Sequence, residues 1–180
     1  KAPGVRVIGY PTHDDRRAAD VELAEVRVGA DALVGERDRA LPTIERAIDR
    51  SIAALCAEAV GIMSVLNEAT LEYLKVRKQF GQPIGSFQAL QHRMVDMVVA
   101  TEQARSMATL AAVRADSDDA AERRLAISAA KAHVGQASRR VGQEAVQLHG
   151  GMGVVDALGV SHYFKRLTMI NATFGDADHH

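Results

Sequence analysis

From Leu41 to Val76, apolar residues recur at spacings of three and four without interruption, and this run limits the possible folds more than any other feature. Ile44, Ile48, Ile52, Leu55, Ala59, Ile62, Leu66, Ala69, Tyr73 and Val76 fall on one helical stripe. Pro42 suits a first helical turn, where its missing N–H would have no partner anyway. At 1.5 Å per residue the run predicts a helix roughly 50 Å long. Gly81, Pro83 and Gly85 then end it.

The same period returns further on. Ser86 is a candidate N-cap for a second helix with Phe87, Leu90, Met94, Met97, Val98, Thr101, Ala104 and Ala108 on one face. Asp116-Ser117-Asp118-Asp119 breaks the pattern, and Asp119 with Glu122 reads as an N-cap with its capping-box partner. An alanine-rich third helix follows to about Leu148, with Leu125, Ala129, Ala132, Val141, Ala145 and Leu148 as core candidates. Val160, Phe164, Leu167, Ile170 and Phe174 predict a fourth. Long helices with short connections predict a mainly α protein, an up-and-down four-helix bundle over residues 41–180.

Residues 1–40 read differently. Val5–Ile8 is short and β-branched, Val21–Val28 alternates with period two, and the stretch between them reads as a loop. Two or three strands do not make a stable sheet alone, so this part reads as the end of a β domain. The chain runs from Lys1-Ala2-Pro3-Gly4 to His179-His180 and reads as a piece of a longer protein.

With a net charge of -1, 4% aromatics and no tryptophan, the chain has neither the field nor the stacking surface for nucleic acid. It holds no uninterrupted apolar run of about 18 residues, so no membrane span is expected. The one cysteine, Cys56, falls in an apolar helical run, which predicts a core residue in a reducing, cytoplasmic compartment.

Two segments carry chemistry. In Arg77-Lys78-Gln79-Phe80-Gly81, Arg77 has a planar fork that pairs with phosphate and Gly81 permits a sharp turn. The plainer reading is basic residues complementing a helix C-terminus. In Gln147-Leu148-His149-Gly150-Gly151-Met152-Gly153, three glycines in four residues let the backbone approach a ligand, and Gln147 adds a donor and an acceptor. A flexible turn between helices needs one glycine, not three. Asp176, Asp178, His179 and His180 have metal-ligand chemistry, but adjacent residues wrap one ion poorly, so no metal site is expected.

In order and spacing these segments resemble the acyl-CoA dehydrogenase family. Arg77 to Ile84, with Phe87-Gln88 and Asp96-Met97, resembles one family signature, and Gln147 to Gly153 resembles another. His162 to Arg166 sits where the family's last helix begins. The resemblance covers the whole chain: residues 1–40 as the end of the middle β domain, the rest as the C-terminal helical domain. It implies that Arg77, Gln79 and Phe80 meet the pyrophosphate and adenosine region of a partner subunit's FAD, with Phe87 and Gln88 beside them. Gln147, Gly150 and Gly151 would cradle the adenosine end of the same flavin. It further implies an acyl-CoA substrate, a homo- or hetero-tetramer built as a dimer of dimers, and an electron-transferring flavoprotein as electron acceptor.

The family removes the substrate's α proton with a glutamate, at one of two positions. Here those positions fall on Gly175 and Ser51, and neither is a carboxylate. Two explanations stay open: Asp176, one residue on, serves as the base, or the chain completes a partner's FAD site without running chemistry itself. The stretch from His162 to His180 resembles the small subunit of pimeloyl-CoA dehydrogenase-like two-subunit enzymes, which favours the second. A non-enzymatic helical interaction module is the reading from another class.

Overall fold

A computed structural model describes residues 3–180. Its contacts divide the chain into two compact units, residues up to Arg46 and Ala47–His180. In the first, strand β1 (Val5–Pro11) pairs antiparallel with β2 (Arg17–Leu23), with Val5 opposite Leu23 and Pro11 opposite Arg17. Arg6 pairs with Glu22 across the ladder at 3.2 Å, and Tyr10 Oη donates to Asp20 Oδ1 at 3.3 Å. The second strand therefore starts four residues before the alternation predicted and stops at Leu23. Cross-strand pairing recruits Arg17 to Asp20, and Glu25, at φ 51°, turns the backbone out of the ladder. Val21 and Leu23 stay exposed.

Four helices follow: α1 (Leu41–Val76), α2 (Gln88–Arg114), α3 (Ala120–His149) and α4 (Gly159–Ala172). The bundle is the predicted one, and α1 ends where its apolar period ends. Asp119 caps α3, its carboxylate accepting from the amides of Ala121 and Glu122. Glu122 does not return the bond; it pairs with Arg114 and Ser117, so only half of a capping box forms. Ser86 is not the N-cap of α2. It closes a short 3-10 turn, its hydroxyl donating to Pro83 O, and Phe87 takes the cap position without a side-chain bond.

Periodicity located the helices better than it chose their buried faces. On α1 the buried line is Ile52, Cys56, Ala59, Met63, Leu66, Thr70 and Leu74, whereas Ile44 and Ile48 are exposed. On α2, Val98 is exposed. On α3, Leu125 and Ala129 point outward while Ile127, Ala130 and Val134 are buried. Phe174 lies beyond α4 at φ 59°. Each helix carries apolar residues on more than one side, so the stripe that packs is set by its neighbours.

Small residues bring α3 and α4 together. A Cβ at Gly135 would stand 2.3 Å from Asn171 Oδ1 and one at Gly142 would stand 2.9 Å from the Phe164 ring. The two glycines are a heptad apart, as are the two side chains that fill the gaps. Polar pairs fix the other contacts. Asn67 donates to Thr101 between α1 and α2, Arg93 pairs with Glu144 between α2 and α3, and Arg166 forks onto Glu58 between α4 and α1. Asp49 and Arg123 form a buried pair at 2.8 Å.

By length and composition α1 could cross a membrane, but 44% of its most apolar window is buried in the structure. That window supplies the bundle's core. Cys56 is fully buried there, and burial pushes its thiol up to about 11 although Lys131 pulls the other way.

Candidate functional site

Arg77 does not belong to the last turn of α1; it leads out of the helix into a tight hairpin. Strands β3 (Lys78–Gln79) and β4 (Gln82–Pro83) pair antiparallel, and the Ile84 amide donates to Arg77 O at 2.8 Å. The turn residues Phe80 and Gly81 have φ of 54° and 80°, the signs of a type I′ turn. Gly81 suits it. Phe80 does not, since a bulky side chain in the left-handed region is disfavoured by about 1–3 kcal/mol. Phe80 is nonetheless 90% exposed at the tip, its ring set T-shaped to that of Phe87 at a centroid distance of 6.0 Å. Phe80 is thus a strained, solvent-facing aromatic at the hairpin tip.

At the end of α3, Gly150 takes φ 58° and its amide bonds Gln147 O. The chain then makes a 3-10 turn over Gly150–Val154. The three glycines have different reasons. A Cβ on Gly150 or Gly151 would meet nothing within 4 Å, whereas one on Gly153 would lie 2.4 Å from Val146 O. Gly153 is a packing glycine; Gly150 and Gly151 leave open backbone. Gly153→Ala is accordingly expected to destabilise the bundle by about 1–3 kcal/mol. Gly151→Ala should leave the urea midpoint nearly unchanged, and equal midpoints for the two variants would contradict this division.

The two segments, seventy residues apart in sequence, line one cleft of about 430 Å3. Arg77, Gln79, Gln147, Gly150 and Gly151 all contribute to its wall. Phe80, Phe87 and Gln88 do not; they form the neighbouring hairpin tip and helix start. Neither the Arg77 guanidinium nor the Gln147 carboxamide has a hydrogen-bond partner among the described residues. An unpaired fork, a free amide and bare glycine backbone fit the phosphate and ribose portion of a dinucleotide, and the volume suits that portion rather than the whole.

Sequence reasoning overlooked part of this wall. Tyr73 and His149 stack at 4.4 Å between ring centroids, and the Tyr73 hydroxyl donates to His149 O at 3.3 Å. His149 is buried, and its Nδ1 lies 2.8 Å from Ala145 O, so that nitrogen carries the proton and donates. Tyr73 lies in the last turn of α1, and its carbonyl accepts from the Arg77 amide at 2.9 Å, which sets the two residues beside each other at the helix end. Read as core, its position beside Arg77 went unused.

The two positions where a base is expected hold other things. The Ser51 hydroxyl donates back to Ala47 O at 2.8 Å. Gly175 sits at φ 100°, and a Cβ there would stand 2.4 Å from the His179 ring. The Asp176 carboxylate accepts from the amides of Asp178 and His179. It lines a separate cavity of about 230 Å3 with Gly135, Arg139 and Asn171. Among the described residues no group of three or more His, Cys, Asp or Glu side chains is placed to hold a metal ion.

Residues 41–179 match the model of the acyl-CoA dehydrogenase C-terminal domain, so the chain belongs to the acyl-CoA dehydrogenase family. It is 32% identical over 160 residues to probable acyl-CoA dehydrogenase YngJ of Bacillus subtilis, covering 89% of this chain and 42% of that protein. It is 36% identical over 156 residues to acyl-CoA dehydrogenase IpdE2 of Mycolicibacterium smegmatis, covering 87% and 44%. A chain of the ChsE4-ChsE5 complex from Mycobacterium tuberculosis superposes with a TM-score of 0.86 at 29% identity, over 98% of this chain and 47% of that one. The chain thus spans less than half the length of these relatives.

Proposed function

We propose that this chain is part of a flavin-dependent enzyme that introduces a double bond between the α and β carbons of an acyl-CoA thioester, and that its role is to complete the FAD site of a partner subunit. The observation that carries this is the shared cleft: Arg77, Gln79, Gln147, Gly150 and Gly151 face one space, with the polar side chains of Arg77 and Gln147 free. Arg77 would pair with the pyrophosphate, Gln147 with the adenosine portion, and the glycine backbone would let that portion approach. Phe80 would extend from the hairpin tip toward the same flavin, with Phe87 and Gln88 beside it. When bound, the flavin accepts the β hydride as a carboxylate takes the α proton.

The carboxylate is what this chain does not supply. A serine bonded to its own helix and a crowded glycine occupy the two positions, and Asp176 uses its carboxylate to fasten the turn after α4. That favours a hetero-oligomer in which the partner provides the base, with residues 1–40 as the end of a β domain. An electron-transferring flavoprotein would reoxidise the flavin, in the cytoplasm.

The test is flavin absorbance in the full-length protein, expressed alone and then with a neighbouring dehydrogenase subunit, followed by dye reduction with acyl-CoA. Flavin and activity are expected only in the assembled pair. No flavin under either condition would end this reading. Dye reduction by the protein alone, abolished by Asp176→Asn, would replace it with a homotetramer that uses Asp176.

A further inference from the structure

Lys131 is 1% exposed, in the middle of α3, and the flavin cleft makes no use of it. Its ammonium donates to two backbone carbonyls, Asn171 O at 2.8 Å and Gly175 O at 2.5 Å. The first belongs to the last turn of α4, where carbonyls have no partner within the helix. The second belongs to the residue at which the family's loop glutamate position falls. Between them the chain reverses through Phe174 and Gly175, at φ 59° and 100°. Two consecutive left-handed residues, one of them phenylalanine, need an outside constraint to persist. A charged donor reaching both ends of the reversal supplies one.

We propose that Lys131 is the positioning residue for the segment Thr173–Asp178, clamping Gly175 to the end of α4 and so setting where this backbone runs beside a bound acyl-CoA. The proposal rests on the reading that Gly175 stands at the family's base position. It gives a fully buried lysine in the bundle core a definite task. Burial pulls the ammonium's pKa below the usual lysine range, while Cys56 and Asp176 act to keep it charged. The Asp176 carboxylate then fastens the far side of the segment by accepting from the amides of Asp178 and His179.

The experiment compares Lys131→Met and Lys131→Arg with wild type in the full-length oligomer, by hydrogen exchange, flavin absorbance and titration with butyryl-CoA and octanoyl-CoA. Lys131→Met is expected to speed exchange at Asp178 and His179 about tenfold or more, because the charged bond that holds the turn is gone. Flavin content should stay at the wild-type level, since the cleft lies elsewhere. Affinity for one or both thioesters should fall about tenfold, and Lys131→Arg should recover part of both effects. Unchanged exchange would overturn the clamp. Faster exchange with unchanged thioester affinity would reduce Lys131 to a structural residue. A wild-type protein without flavin or thioester binding would remove the proposed function, while the exchange result still decides the clamp. If Lys131→Met does not fold, Lys131→Gln, a neutral donor on a shorter stem, is read by the same measurements.

Discussion

Arg77→Ala in the full-length oligomer is expected to weaken FAD binding by about ten- to a hundredfold, the range that the loss of a charge-assisted bond of roughly 1.5–3 kcal/mol gives. The guanidinium leads out of α1 into the hairpin, lines the cleft, and has no internal partner to lose. Its removal should therefore leave the urea midpoint of the flavin-free protein unchanged. Lys78→Ala serves as the control, because Lys78 carries the same charge but does not line the cleft. Flavin retained through gel filtration reads the result, and the difference from wild type should shrink as salt rises, because salt screens the attraction that the variant lacks. If both variants keep flavin equally, Arg77 is only a helix-end cation and the cleft is not the flavin grip.

Asp49→Ala is expected to cost about 3–5 kcal/mol of stability, because it leaves a buried charge without its counterion. Arg123 is 5% exposed and bonds Asp49 at 2.8 Å and Ser117 O at 2.7 Å. With Asp49 gone, one carbonyl remains to balance a guanidinium shut away from water. The double variant Asp49→Ala with Arg123→Met removes both charges and should recover most of the loss, since an apolar side chain of similar length fills the same space. Urea unfolding with an unchanged slope is the measurement. A single variant that loses less than 1 kcal/mol would mean that water reaches Arg123 and the pair is not buried in solution.

These two expectations differ in how far the sequence foreshadowed them. Arg77 was legible because its neighbours, Gln79 to Ile84, form an ordered motif whose chemistry suits phosphate. Asp49 and Arg123 were not. In sequence they are an acid inside an apolar helix and a base near another helix start, 74 residues apart, and each reads as an ordinary surface charge. Lys131 was hidden in the same way within an alanine-rich run. A buried charge gives no local signal, because what makes it tolerable is a partner brought from elsewhere.

The glycine segment shows the same division within four residues. Its composition pointed to close backbone approach, and that is open at Gly150 and Gly151. Gly153 is there for a different reason, the carbonyl of Val146 in the preceding turn. Composition does not distinguish a glycine that admits a ligand from one that admits the protein's own backbone.

What the sequence by itself determined is whatever depends on neighbours along the chain. Pro42 and Asp119 start α1 and α3, Gly150 ends α3, and the period between them makes helices. The ordered motifs then identify the family. What only the tertiary structure decided depends on neighbours across space. Each helix offers more than one apolar face, and packing selected the line through Cys56 and Met63 over the one through Ile44 and Ile48. The same packing brought the ends of α1 and α3 to one cleft and drew the backbone at Gly175 onto Lys131. Local rules act through bonds and near neighbours, whereas burial and electrostatic pairing are settled only when distant segments exclude water together.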